Sequence, residues 1–284
     1  MRKILVTGGA GFIASCLAER LVQDENNYVV IVDNLLTGAK EKLPSRNYKN
    51  WHFIKADVNK YADMSSMMGS YTFDYVFHYA AVVGVQRTLN HPVMVLNDIK
   101  GIRNILDLAK NTGVKCVYYS SSSEVYGEPM EFPQNEETTP LNSRLPYAIV
   151  KNVGESFLKS YHKEYGLNYS IFRFFNTYGP KQSSDFVVSK FIRAALHNKD
   201  IVVYGDGKQT RTFLFIDDNV EATVNAFNEV IYQNEVVNIG CDVEIPIIEL
   251  AKKIIALTKS KSQIIHHPPL KEGDMTRRNQ IHPK

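Results

Sequence analysis

Cysteine is scarce: Cys16, Cys116 and Cys241 are the only three in 284 residues. Their odd number and scattered positions exclude a disulfide scaffold and give no metal-ligand spacing, so no metal is expected. Such usage fits a reducing compartment. An excess of one charge is also missing. The formal charge of +3 is too small to argue for a nucleic acid or an anionic membrane as partner. No apolar run approaches the roughly 20 residues of a membrane span. Met1-Arg2-Lys3 starts like a secretory leader, but glycine interrupts the apolar run that follows far too early. Internal repeats and low-complexity tracts are absent as well. The expected setting is the cytoplasm.

The remaining composition is that of an ordinary globular protein, with 44% apolar and 22% charged residues. The length suffices for a large core, in one domain with a lobe or in two domains. Ile4-Leu5-Val6 is a short apolar run that ends in Thr7-Gly8-Gly9-Ala10-Gly11-Phe12-Ile13-Ala14. Leu17, Ala18, Leu21 and Val22 then form one helical stripe. A second strand, Val29 to Val32, ends at Asp33. Strand, glycine loop, helix, strand and acid make a dinucleotide-binding βαβ unit. Glycines let the backbone turn tightly against a pyrophosphate, and the helix N-terminus faces its charge. Asp33 lies slightly farther after Gly8 than the usual spacing of about 20 residues. A carboxylate there accepts from a ribose 2′-hydroxyl and repels a 2′-phosphate, so the expected cofactor is NAD rather than NADP.

The alternation continues. Trp51 to Ile54, Tyr75 to Ala81, Cys116 to Tyr119 and Tyr169 to Phe174 read as strands, and Asn97 to Lys110 reads as a helix closed by Gly113. This rhythm predicts an α/β fold, a doubly wound parallel sheet of the Rossmann type. Ligands bind such sheets at the carboxyl ends of the strands. Asp57, Ala80, Ala81, Ser120 to Glu124 and Asn176 all fall at predicted strand ends. After Tyr178-Gly179-Pro180 the pattern loosens into a helix over Phe186 to His197, a strand near Val202-Val203, a strand over Arg211 to Ile216, and a helix from Asp217-Asp218 read as its N-cap. Residues 1–177 are therefore expected to form the nucleotide domain. Residues 178–284 are expected to be mainly a smaller α/β substrate lobe, with some segments returning to the main sheet.

Tyr147 and Lys151 carry the chemistry. Pro146 is a good first helical residue, and positions i and i+4 share one helix face. An ammonium beside a phenol favours the phenolate and lowers a pKa that is normally about 10. Such a tyrosine can act as a general base near neutral pH. The spacing alone is weak, since an exposed amphipathic pair has the same pattern. The glycine loop and the strand ends give it meaning.

Taken together, these motifs resemble those of the extended short-chain dehydrogenases/reductases, in the NAD-dependent nucleotide-sugar epimerase/dehydratase group. The likeness runs over nearly the whole chain. It implies cofactor contacts from Gly8, Gly11, Phe12 and Ile13 of the loop, from Asp33 and Asn34, and from Asp57 and Val58 near the adenine. Tyr79, Ala80, Ala81, Asn97, Ser120, Tyr147 and Lys151 complete that set near the nicotinamide. Tyr147 would take a proton from a sugar C4 hydroxyl as hydride leaves that carbon, with Ser122 orienting the hydroxyl. The implied partner is a UDP-, GDP-, CDP- or dTDP-hexose, held in part by Arg87, Asn176, Arg211 and Arg277, with Arg278 beside the last. Guanidinium forks suit its pyrophosphate. A homodimer is the expected assembly.

The fate of the 4-ketone rests on Ser122-Ser123-Glu124. Glu124 stands where many dehydratases carry a C5 base, while Ser123 stands where one branch carries an acidic Asp. Ser-Glu resembles another dehydratase branch and the UDP-glucuronate decarboxylases. The segment from Val82 to Thr88, by contrast, is more like dehydratases and epimerases. Glu124 could equally be a carboxylate that only accepts from nearby backbone. A 4-epimerase or 4,6-dehydratase is the leading expectation. A net dehydrogenase, a decarboxylase and a catalytically silent NAD-binding regulator are the alternatives. Two departures stand out: Ala14 replaces the usual third glycine, and the sequence ends at Lys284, soon after Arg277-Arg278, where relatives usually continue.

Overall fold

The computed structural model describes residues 1–128, 131 and 133–268. Its elements run β1 (Arg2–Thr7), α1 (Phe12–Leu21), β2 (Asn27–Asp33), β3 (Trp51–Lys55), α2 (Tyr61–Tyr71) and β4 (Tyr75–His78). They continue with α3 (Val85–Asn90), α4 (Pro92–Leu96), α5 (Asp98–Thr112), β5 (Cys116–Ser122), α6 (Pro146–Tyr165) and β6 (Asn168–Phe174). The remainder is β7 (Thr177–Tyr178), α7 (Val187–Leu196), β8 (Ile201–Tyr204), β9 (Thr210–Thr212), β10 (Leu214–Phe215), α8 (Ile216–Glu229), β11 (Val236–Ile239), β12 (Glu244–Pro246), α9 (Ile247–Thr258) and β13 (Ile264–His267).

Seven strands form one sheet in the order β11-β6-β5-β4-β1-β2-β3, and every pairing in it is parallel. Parallel strands need crossover helices, and those helices cover both faces. On one face Leu5, Val30, Val76, Val117 and Ile171 pack against α2, α5 and α6. On the other, Ile4, Val6, Ile31, Phe77 and Phe172 pack against α1 and α8. Strand order reverses between β1 and β4, so a crevice opens there at the carboxyl ends of the strands.

The chain beyond residue 177 divides between two places. Helix α8 and strand β11 return to the main sheet, with Val236 to Ile239 paired to β6. A separate apolar cluster of Phe191, Ile201, Val203, Ile247 and Ile254 joins α7, α9 and β8 into a smaller layer.

Three local expectations need correction. The strand read over Tyr75 to Ala81 stops at His78. The Thr7 hydroxyl accepts from the backbone N–H groups of Tyr79 (3.1 Å) and Ala80 (3.2 Å), which turns them out of the ladder. The single strand read over Arg211 to Ile216 is two short strands, β9 and β10, and Ile216 already belongs to α8. Asp217 and Asp218 are not the cap of α8. Phe215 holds that position, and the two acids lie in the first turn, where they favour the positive end of the helix dipole.

His78 at the end of β4 gives the fold a pH dependence. It is 2% exposed, with Nδ1 2.9 Å from the Thr7 hydroxyl. That hydroxyl already accepts two N–H bonds, so its proton goes to Nδ1 and the ring carries its own on Nε2. Burial first, and the Lys151 charge second, push its pKa down to about 3. An unfolded histidine ionises near 6.5. Below that pH the unfolded chain takes up a proton that the folded chain refuses, so the contribution is complete above 6.5 and shrinks as pH falls towards 3. At about 1.4 kcal/mol per unit, this removes about 2 kcal/mol by pH 5. Denaturant unfolding of wild type and His78→Gln between pH 7 and 5 should show a steeper loss in wild type, and parallel slopes would contradict this account.

Candidate active site

A cavity of about 750 Å³ runs along the carboxyl ends of the strands from the glycine loop to the start of α6. At one end lies the loop between β1 and α1. Gly8 has φ +69°, and a Cβ there would lie 2.7 Å from the Ala80 Cα. Only glycine meets both demands, positive φ and close backbone approach. Gly11 immediately precedes α1, whose first turn has no acidic residue, so the helix N-terminus presents N–H groups and positive potential to the cavity. Ala14 in this helix is buried against the sheet.

Asp33 closes β2, largely buried at the cavity wall. Its carboxylate accepts from Ala10 N–H (3.0 Å) and Leu35 N–H (2.7 Å). Gly38 passes directly over it, where a Cβ would collide with both oxygens. The acid is therefore fixed in place and retains lone pairs for a hydroxyl donor. Asn34, Asp57 and Val58 line the same end of the cavity. These features fit an adenine dinucleotide: a pinched glycine turn, an open helix N-terminus and a fixed carboxylate beyond them.

Tyr79, Ala80, Ala81 and Asn97 line the middle of the cavity. Next to Asn97 is Asp98, which sequence reasoning missed. It is 8% exposed and accepts from Val82 N–H (2.7 Å) and Asn59 Nδ2 (3.4 Å). Burial pushes its carboxyl up, opposed by those hydrogen bonds and by the Lys151 charge. An acid at a helix start reads as an ordinary first-turn residue, so nothing local marked it.

At the far end β5 delivers Ser120 and Ser122, and a 3-10 helix over Ser123–Tyr126 follows. Ser122 caps it, accepting from Glu124 N–H at 3.2 Å. Ser120 to Glu124 all line the cavity, together with Tyr147 and Lys151 from α6, which begins at Pro146. Lys151 is buried, with 3% exposure. Its Nζ donates to the Ser120 carbonyl at 2.5 Å and lies 3.4 Å from the Ser120 hydroxyl. The ammonium is 5.7 Å from the Tyr147 ring centre and 5.0 Å from that of Tyr119. Burial lowers its pKa to about 8, opposed by the charges of Asp98 and Glu155. Lys151 is thus mostly charged at neutral pH and poised close to losing its proton. A phenol, a serine hydroxyl and a buried ammonium on one wall can take a proton from an alcohol. The Glu124 carboxylate lines the same cavity.

Asn176 also lines the cavity, with its Nδ2 donating to Thr212 O. Phe174, Phe186 and Phe213 add an apolar wall near it. Arg87 and Arg211 are not among the lining residues. Arg87 turns back to the Val83 carbonyl (2.7 Å) and Arg211 donates to the Thr210 carbonyl (2.8 Å). Arg277 and Arg278 lie outside the described residues. His266 and His267 are exposed at the end of β13, with His266 Nδ1 against Gly205 O. Among the described residues no group of His, Cys, Asp and Glu could hold a metal ion. Within the same set, no helix is long and apolar enough to cross a membrane.

Comparison with known proteins agrees with this geometry. The profile of the NAD dependent epimerase/dehydratase family matches residues 4–240. A UDP-N-acetyl-alpha-D-glucosaminuronate decarboxylase of Bacillus cytotoxicus is 40% identical, over 94% of this chain and 84% of its own. The crystal structure of a UDP-glucose 4-epimerase from Thermotoga maritima with UDP-glucose superposes with a TM-score of 0.92, at 31% identity, over 99% of this chain and 90% of that one. A dTDP-glucose 4,6-dehydratase from Streptomyces venezuelae, solved with NAD and TYD, gives a TM-score of 0.90 at 26% identity, over 98% and 88%.

Proposed function

The chain belongs to the NAD dependent epimerase/dehydratase family, and on that premise we propose that Tyr147, Lys151 and Ser122 orient the C4 hydroxyl of a nucleotide sugar and take its proton in an NAD-dependent oxidation. The observation that carries this reading is the buried Lys151 ammonium, gripped by the Ser120 carbonyl beside Tyr147 on the cavity wall. Bound NAD would supply the hydride acceptor for this chemistry. The residues named for its contacts, Gly8, Gly11, Phe12, Ile13, Asp33, Asn34, Asp57, Val58, Tyr79, Ala80, Ala81, Asn97 and Ser120, all line the cavity.

In this mechanism Ser122 donates to or accepts from the sugar hydroxyl and fixes its direction. Tyr147 removes the hydroxyl proton. Lys151 stabilises the phenolate, because an ammonium at this distance in a buried site lowers the cost of the negative charge. The resulting 4-ketone acidifies the neighbouring C–H bond. Glu124, which lines the same cavity, is proposed to take that proton, which a dehydration across C5 and C6 requires, while an epimerisation needs only the sugar to present its other face. The leading reading is therefore a 4-epimerase or 4,6-dehydratase. A second reading, decarboxylation of a uronic acid, is favoured by the 40% identity to the Bacillus cytotoxicus decarboxylase. The smaller layer of α7, α9 and β8 is proposed as the lobe that closes over the sugar nucleotide. Asn176 and Arg277 are proposed to hold it, with Arg87 and Arg211 swinging from their backbone partners to do so.

The proposal also includes a cytoplasmic setting, supported by the three free cysteines, and a homodimer. The dimer is supported by apolar side chains on neighbouring helices, with Val93 and Leu96 exposed on α4 and Ile149 on α6. Sedimentation should give twice the 32.3 kDa chain mass, and a single-chain mass would contradict a dimer. For the reaction, the protein should be incubated with a panel of UDP-, GDP-, CDP- and dTDP-sugars and the products read by mass. No mass change with altered chromatography means epimerisation; loss of water means dehydration; loss of CO2 means decarboxylation. Absorbance of NADH should not accumulate, and steady accumulation would instead mean a net dehydrogenase. Tyr147→Phe should lower turnover by about 100-fold or more. Turnover at the wild-type rate would defeat the mechanism.

A further inference from the structure

Behind the base lies an ion pair that the mechanism above does not use. Glu155 and Arg173 are each 1% exposed. Arg173 binds Glu155 with both arms of its fork, Nε to Oε1 at 2.9 Å and Nη2 to Oε2 at 2.7 Å. Glu155 Oε1 also accepts from the Ser121 hydroxyl at 2.5 Å. The remaining donor of Arg173, Nη1, reaches the Tyr126 hydroxyl (2.8 Å) and the Glu136 carbonyl (3.3 Å). Tyr126 in turn donates to Asn238 Oδ1 at 2.8 Å. Burying two charges is costly, and removing one partner leaves the other stranded. The geometry of this pair is therefore tightly specified.

Its position matters more than its strength. Glu155 follows Lys151 by one helical step of four, as Lys151 follows Tyr147, so the three share a stripe of α6. Ser121 stands between Ser120, which holds the Lys151 ammonium, and Ser122. Arg173 comes from the next strand of the sheet, β6, and Tyr126 from the 3-10 helix that also carries Glu124. One residue before Glu155, Gly154 lets α6 settle onto β5; a Cβ there would collide with the Tyr119 hydroxyl. Every element that carries a proposed reacting group is thus pinned to one buried carboxylate.

We propose that Glu155 is a positioning residue for the base: its ion pair with Arg173 and its bond to Ser121 set the seat of α6 on β5, and thereby where Lys151 and Tyr147 meet Ser120 and Ser122. The inference rests on the assignment of Tyr147 and Lys151 as the proton-transfer pair. Titratable and charged groups face that pair from His78 of β4, Asp98 of α5, Tyr119 of β5 and Glu155 of α6 itself. A test must therefore move geometry without changing charge.

Glu155→Asp does this, since it keeps the carboxylate and shortens its reach by one methylene. The readout is the ionisation of Tyr147, taken as the ultraviolet difference between each protein and its own Tyr147→Phe counterpart. Glu155→Asp should raise that midpoint by about one pH unit or more, which is a tenfold change in the equilibrium. Turnover of a sugar nucleotide should fall roughly tenfold in kcat, with KM little changed. Ser121→Ala removes only a hydroxyl and should shift the midpoint in the same direction, which keeps the test available should Glu155→Asp fail to fold. An unshifted or lowered midpoint in either folded variant overturns the proposal, even if its melting temperature falls. A wild type that turns over no sugar nucleotide, yet shows the shift in both variants, would defeat the functional reading and leave the positioning role supported.

Discussion

The structure depends on keeping an ammonium charged where water hardly reaches. Lys151 is buried against β5, and burial favours its neutral form. Three features oppose that tendency: the Ser120 carbonyl at 2.5 Å and the carboxylates of Asp98 and Glu155. Each belongs to a different element, and each has its own reason to stay put. Ser120 is held in the sheet by its pairing with Phe172 of β6, Asp98 is fixed by Val82 N–H, and Glu155 is locked to Arg173. The site is thus not a loop assembly laid on a scaffold. Its electrostatics are shared with the packing of α5 and α6 on the sheet.

The same economy appears at the other end of the cavity. Gly8 meets the Ala80 backbone, and Thr7 holds the N–H groups of Tyr79 and Ala80. The glycine loop and the segment from Tyr79 to Ala80 are therefore tied to each other directly. His78 sits at the junction, neutral because it is buried and because Lys151 is near. The Lys151 charge thus adds to burial in holding His78 neutral.

Much of this was legible in the sequence, for a physical reason. The glycine loop, Asp33, the serine-rich strand end and the Tyr147–Lys151 pair are local patterns, set by turns, helix spacing and strand ends. They point to the doubly wound sheet and to NAD, and the groups proposed to react line one cavity. Residues whose roles depend on distant partners were invisible. Asp98 meets Asn59, and Glu155 meets Arg173 and Ser121, only after the sheet has formed. The end of β4 was misjudged because a hydroxyl from β1 captures the next two N–H groups. The strand read over Arg211 to Ile216 failed at its end, where Ile216 already opens α8. Residue type alone did not show where Arg87 and Arg211 point: one nitrogen of each donates to a nearby backbone carbonyl.

The central claim is that burial, only partly offset by nearby carboxylates, brings the Lys151 ammonium close to neutral pH. Labelling lysine at Cε with carbon-13 and comparing wild type with Lys151→Met identifies its resonance, which is then followed through a pH titration. The account predicts a midpoint near 8. A midpoint at the ordinary value of about 10.5 would contradict it.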